Sequence, residues 1–328
     1  MTLLPQQVVG GHYQILHKLG KGGLGTTFLA EDLHRLKSKL AVKQLHYTSN
    51  NPEEQRKVEE LFRREAKTLI KLGEHEQIPY LHAYFQEDQK FYLVEELIEG
   101  HQLSEELSPG KKMEEDEVIE LLEEILVILK FVHTKGVIHR DIKPENIMRR
   151  DKDDQLVLID FGGVKNLISE SGNTVIQGNN TQVYTRHYSP REQIIGRPEF
   201  NSDIYPLGII AIQALTGLEA KNIPQDSRTG ELSWREEAPQ VSDRLAEVVD
   251  KMVRDDFERR YRSVEDVLVD LGELKQTSVL VGSKATSLGK TLLPDFRLPK
   301  KYVWLLFIAL VGWVKRSVTQ HQMRALVP

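Results

Sequence analysis

Two short segments of the chain hold the residue types that phosphoryl transfer requires. His139-Arg140-Asp141-Ile142-Lys143-Pro144-Glu145-Asn146 supplies an Asp, a Lys and an Asn at fixed spacing, and Asp160-Phe161-Gly162 begins fourteen residues after Asn146. In such chemistry one carboxylate accepts or orients the hydroxyl proton of the acceptor. An amide oxygen and a second carboxylate hold magnesium on the nucleotide phosphates. Asp141, Asn146 and Asp160 fit those three tasks. Taken singly, each reads equally as a solvated loop charge or a turn cap, the ordinary fate of Asp and Asn between elements. The order of further segments upstream favours chemistry.

Gly20-Lys21-Gly22-Gly23-Leu24-Gly25-Thr26-Thr27-Phe28 lies between two expected strands, where missing Cβ atoms let backbone N–H groups approach phosphate oxygens. A glycine-rich hairpin would look the same, and the segment lacks the Gly-Lys-Ser/Thr ending of a Walker A loop. Lys43 stands in Leu40-Ala41-Val42-Lys43, a half-buried strand where an ammonium is costly unless an anion meets it. A lysine snorkelling at a strand edge is the alternative. Glu65 shares one face of an expected helix with Phe62 and Leu69, which makes it the natural counter-ion of Lys43.

Positioning these groups requires two differently built halves. Tyr13 to Leu19, Thr26 to Ala30, Leu40 to Leu45 and Phe91 to Val94 read as short strands, interrupted by a helix over Pro52 to Leu72 that Gly73 closes. After Gly100 the period changes. Glu114 to Thr134 is a strongly periodic apolar helix, and further helices are expected at Asp203 to Leu215, Asp243 to Val253 and Ser263 to Leu274. Residues Gln276 to Leu298 mix Ser, Thr, Gly, Lys and Pro without period and read as a linker. With 328 residues, 40% of them hydrophobic and 28% charged, the chain can bury a sizeable core. A net charge of −5 gives no footprint for nucleic acid, and the absence of cysteine excludes disulfides and thiolate chemistry. The N-terminus lacks the basic and apolar regions of a signal peptide.

These motifs together resemble the eukaryotic-like (Hanks-type) serine/threonine protein kinases, and the wording is similar to cyanobacterial members. The resemblance covers about Tyr13 to Leu274. It implies an α+β, bilobal protein-kinase-like fold: a small β-rich N-lobe with one helix over about 13–97 and a larger helical C-lobe over about 98–274. A linker at 275–299 and a tail at 300–328 would follow. It implies ATP and Mg²⁺ as cofactors, protein substrates, autophosphorylation and a cytoplasmic kinase domain. Nucleotide contacts fall to Leu19, Gly20, Lys21, Gly22, Gly23, Leu24, Gly25, Thr27, Lys43, Glu96 and Ile98. Asp141 is then the base, Lys143 neutralises the transferring phosphoryl group, Glu65 holds Lys43, and Asn146 and Asp160 bind magnesium. Lys143 also points to the serine/threonine class. The alternative is a pseudokinase scaffold that binds nucleotide or partners without catalysis.

Further family positions follow. Arg140 resembles the arginine that pairs with a phosphate on the activation segment, where Ser169, Ser171, Thr174, Thr181 and Thr185 are acceptors. Thr185 matches a threonine that contacts the catalytic loop. Glu192 resembles a carboxylate that pairs with a later arginine, here Arg260, and Asp203 one that anchors the catalytic-loop backbone. Three positions depart from the family: Thr27 replaces a valine, Arg191 replaces a proline, and Val94-Glu95-Glu96 is acidic at the hinge. Counting back from Glu99-Gly100 puts Glu95 at the back of the adenine pocket, although a shifted register would put Val94 there.

Tyr302 to Val314 runs thirteen residues without a charge, between Lys300-Lys301 and Lys315-Arg316. As a helix it would span roughly 20 Å, short of a complete bilayer crossing. Trp304 and Trp313 near its ends suit interface anchors. Membrane association through 302–314 and a helix packed on protein are both open, as is the oligomeric state.

Overall fold

The computed structural model describes residues 3–21, 25–45, 52–161 and 187–285, with the side chains of 52, 54, 55, 57, 58, 61 and 276–285 outside the description. Two compact units divide the chain, Met1–Thr277 and Ser278–Pro328, and the elements that carry the site lie in the first.

Six antiparallel strands build the first half: β1 (Val8–Val9), β2 (Tyr13–Lys21), β3 (Gly25–Asp32), β4 (Ser38–Leu45), β5 (Leu81–Glu87) and β6 (Lys90–Glu96), in the order β1-β2-β3-β4-β6-β5. Residues opposite one another in such a ladder share a face. Val42 pairs with Phe28 and Val94, and all three are buried in an outer cluster with Ile15, Ala30 and Tyr92. Lys43 pairs with Thr27 and Leu93, and Ala41 with Leu29 and Glu95, so these side chains leave on the opposite face. The register therefore puts Glu95, not Val94, on the same side as Lys43. A Cβ on Gly25 would stand 2.4 Å from the Gln44 carbonyl oxygen, so the β3–β4 pairing itself demands glycine there.

Helix α1 (Pro52–Leu72) has Pro at its first position, where a missing N–H costs nothing, and ends at Gly73 with φ +67° and its N–H on Leu69 O. Phe62, Ala66, Leu69 and Leu72 are buried with Leu45 and Leu93 of the sheet. Glu65 lies on the same stripe and is 2% exposed, which turns its carboxylate inward.

The second half is helical. A three-stranded sheet, β7 (Gly100–Gln102), β8 (Ile147–Arg150) and β9 (Leu156–Leu158), joins the short α2 (Leu103–Glu106) to the body. Helix α3 (Glu115–Thr134) begins with a reciprocal Glu114–Glu117 capping box and buries nine apolar side chains. Each such side chain contributes about 1.5–3 kcal/mol relative to exposure. After the single-turn α4 (Arg191–Ile194) comes α5 (Ile204–Thr216), buried almost all round, as a central core helix is. Gly208 lets Val253 approach, since a Cβ there would meet its side chain at 2.4 Å. Helices α6 (Asp243–Met252), capped by Ser242, and α7 (Val264–Ala285) complete the order.

Most expected elements match within one to three residues. The strand readings omitted β1, β5 and β7–β9. Strand β5 is half-buried along nearly its whole length and so shows no alternation, while β7–β9 are three or four residues long. The linker reading needs correction as well, because α7 continues ten residues beyond Lys275. No proline interrupts that stretch before Pro294, and one glycine, Gly282, is tolerable in a helix at about 1 kcal/mol.

Candidate active site

Lys43 projects from the inner face of β4 to meet two carboxylates. Its Nζ donates to Glu65 Oε1 at 2.6 Å and to Asp160 Oδ1 at 2.9 Å, joining the sheet, α1 and the segment after β9. Burial by itself would lower the ammonium, but Asp160 and Glu65 outweigh it and hold Lys43 well above its ordinary value, fully charged. Asp160 adopts φ +62°, a conformation costing about 1–2 kcal/mol for a residue with a Cβ. The contact with Lys43 helps to hold it there.

The loop between α3 and β8 is anchored from below. Arg140 also has positive φ, +68°. Asp203, at the head of α5, accepts the His139 N–H at 2.9 Å and the Arg140 N–H at 2.8 Å, while His133 Nε2 donates to Asp203 Oδ2 at 2.9 Å. Burial would raise the Asp203 carboxyl, yet these donors pull it below the ordinary carboxylate range. Gln193 Nε2 donates to Arg140 O at 2.8 Å. Buried His139 is pushed toward its neutral form; its Nε2–H points to Ile159 O and its Nδ1 takes the Asp141 N–H, and its ring lies 4.6 Å from Phe161. The strained backbone is thus over-determined, as a positioned site requires. His133 and Gln193 were not legible in the sequence, since neither the last turn of a helix nor a residue near Pro190 announces a partner dozens of residues away.

That loop brings Asp141, Lys143 and Asn146 together. Lys143 Nζ donates to Asp141 Oδ2 at 3.0 Å, and Asn146 Nδ2 donates to Asp141 O at 2.7 Å and Oδ2 at 2.9 Å. Burial would depress Lys143, but Asp141 more than compensates and keeps it charged. With its amide nitrogen committed to Asp141, Asn146 presents its oxygen as the available ligand. Among the described residues no group of three or more His, Asp or Glu could hold a metal ion alone. Magnesium ordinarily uses one or two protein ligands plus phosphate oxygens and water, so an Asn146 amide oxygen and an Asp160 carboxylate suit that ion when nucleotide brings the rest.

The remaining expected positions divide. Gly20 pairs with Thr27 across β2–β3 next to an irregularity in register, Leu19 and Lys21 are exposed, and Thr27 lies directly opposite Lys43. Glu96 ends β6 exposed, with its N–H on Tyr80 O at 2.8 Å, and Ile98 is buried. Gly22, Gly23 and Leu24 lie outside the described residues, as do Gly162, Ser169, Ser171, Thr174, Thr181 and Thr185. Arg191 opens α4 with its side chain 77% exposed, 3.9 Å from Asp255, so nothing in its surroundings requires proline; Pro190 supplies the rigid residue one position earlier. Glu192 and Arg260 form a fully buried pair at 2.7 Å.

A protein kinase domain family model matches residues 13–270. The chain is 44% identical over 265 residues to serine/threonine-protein kinase B of Synechocystis sp., covering 79% of this chain and 46% of that protein. It is 40% identical over 270 residues to PknA of Nostoc sp., covering 80% and 47%. The chain thus spans about half the length of these curated relatives. Among solved structures, the Mycobacterium tuberculosis PknI kinase domain is similar with a TM-score of 0.62 and 18% identity, over 83% of this chain and 99% of that one. The apo form of PpkA gives 0.66 and 20%, over 82% and 99%. At such identities these likenesses establish the fold, a two-lobed α+β arrangement, and with the match over residues 13–270 the chain belongs to the protein kinase domain family.

Proposed function

We propose that this chain is an ATP- and Mg²⁺-dependent serine/threonine protein kinase that transfers the γ-phosphoryl group to hydroxyls of protein substrates and of itself. The observation that carries it is the Glu65–Lys43–Asp160 link, which couples the two lobes through a charged lysine suited to meet phosphates. In this reading Lys43 binds phosphate, Asp141 takes the hydroxyl proton, Lys143 offsets the charge moving with the phosphoryl group, and Asn146 and Asp160 hold magnesium. When bound, magnesium supplies charge neutralisation on the phosphates. Residues 13–274 form the catalytic domain, placed in the cytoplasm, with nucleotide gripped by the glycine segment, Glu96 and Ile98. A scaffold would need none of these contacts, and the Synechocystis and Nostoc relatives are serine/threonine-protein kinases by name.

Incubating the full chain with γ-labelled ATP and Mg²⁺ is expected to place label on Ser and Thr. Lys43→Met should lower that label by about 10²-fold or more through lost phosphate positioning. Label on neither protein would favour the scaffold, and equal label on both would remove Lys43 from the mechanism.

The tail is proposed to contact membrane through 302–314, supported by Trp304, Trp313 and the flanking basic pairs. The segment lies outside the described residues, among whose helices none is long and apolar enough to cross a membrane. Deleting 300–328 should abolish co-sedimentation of the chain with anionic vesicles; sedimentation unchanged by the deletion would refute it.

A further inference from the structure

The outward side of α1 carries charges that the active site does not use. Arg63, Arg64, Lys67 and Lys71 are exposed over its last turns, and Ile70 stands among them, 68% exposed. At helical spacing Arg63, Lys67 and Ile70 form one stripe, with Arg64 and Lys71 beside it, over about 12 Å of helix. The acids of α1 lie apart from this set: Glu53, Glu54, Glu59 and Glu60 belong to its first half, and Glu65 is buried on Lys43. Past the helix, Glu74 is the first acid. Lys71 Nζ donates to Gly136 O at 3.3 Å, which continues the basic surface to exposed Lys135 at the end of α3.

Charge is divided unevenly along the chain. Ser278–Pro328 holds eight lysines and arginines and one acid, Asp295, while the whole chain carries −5, so the first unit carries −12. A unit so negative is repelled by an anionic bilayer, within a Debye length of about 8 Å, unless it turns a basic patch toward the surface. The outward side of α1 is such a patch. About 12 Å of one helix face falls short of the roughly 800 Å² that a stable protein partner covers on each side, whereas lipid headgroups answer to charge density alone. We infer that this face is a membrane-contact surface: Arg63, Arg64, Lys67 and Lys71 meet anionic lipid headgroups, and Ile70 enters among them. It goes beyond the reading of 302–314 as a membrane segment and stands on different residues. Glu65 points the other way, into the body of the fold, so the contact leaves its bond to Lys43 in place.

The chain has no cysteine, so one introduced cysteine can be labelled alone. Ile70→Cys in the full chain, carrying a polarity-sensitive fluorophore, is mixed with phosphatidylcholine vesicles with and without phosphatidylglycerol. A blue shift is expected with the anionic vesicles alone and should be reversed by salt. The same label at Ser227→Cys, on the exposed turn after Asp226, should show none. Adding Arg64→Gln, Lys67→Gln and Lys71→Gln should weaken the partitioning that the shift reports by about fivefold per charge, roughly 10²-fold in all. Vesicle binding without a shift at residue 70, or an equal shift on neutral vesicles, overturns the inference and leaves the tail reading standing. A shift and a sedimentation both unchanged by deleting 300–328 do the reverse. A shift with polyglutamate but not with vesicles would assign the face to an acidic protein and overturn the inference too.

Discussion

Asp141→Asn is expected to lower kcat by about 10²–10⁴, the range that a positioned general base supplies. Asparagine keeps the shape of the side chain, and its oxygen can still accept from Lys143 Nζ and Asn146 Nδ2, the two donors now on Asp141 Oδ2. What disappears is the negative charge that attracts a hydroxyl proton and keeps Lys143 charged against its burial. The loss should therefore fall on the chemical step, with the nucleotide dissociation constant changed little, because Lys43 draws its own charge from Glu65 and Asp160. Asp141 and Lys143 act as a unit, so adding Lys143→Met to Asp141→Asn should cost far less than the product of the two single effects. Single-turnover transfer to casein reads the chemical step directly. A rate for Asp141→Asn indistinguishable from the unsubstituted chain would remove Asp141 from the role of base.

How much of this site could be read from the sequence depends on where each residue's partners lie. Asp141, Lys143 and Asn146 are neighbours on one loop, so local spacing already encodes their meeting. Lys43, Glu65 and Asp160 meet across 117 residues of chain, yet each sits in a periodic element or motif that fixes its face. Glu95 was harder, because counting residues leaves a one-position ambiguity that flips a strand side chain to the other face. Only the pairing of Ala41 with Glu95 resolves it. His133 and Gln193 were invisible, since their task is to hold Asp203 and Arg140 and no local pattern marks such partners. The fold was legible where helices are long: α1 and α3 follow from their apolar stripes, whereas β7–β9 are too short for any period to appear.

Arg260→Met is expected to destabilise the fold by about 3–5 kcal/mol, the cost of removing one partner of a buried ion pair. The Arg260 side chain has no exposed surface and Glu192 only 4%. Every donor of the guanidinium is used: Nη1 on Glu192 and on Asn201 O, Nη2 on Glu192 and Arg254 O, and Nε on Arg254 O. Methionine fills much of the volume but leaves a buried carboxylate whose remaining donor is Ser202 Oγ, at 2.7 Å. At about 2–4 °C per kcal/mol for a domain of this size, Tm should drop by roughly 10 °C. If the cost is an unpaired charge and not lost packing, Glu192→Leu with Arg260→Met should recover part of it, because apolar replacements of buried pairs are often neutral. Recovery should be incomplete, since Ser202 and the carbonyls of Asn201 and Arg254 lose their partners. The pair also bears on activity: Glu192 lies in α4 beside Gln193, which holds the Arg140 carbonyl, and Ser202 precedes Asp203, which holds the Arg140 N–H. The single substitution should therefore lower transfer well below the temperature at which the domain melts, whereas a change in Tm with full activity retained would confine Glu192 and Arg260 to stability alone.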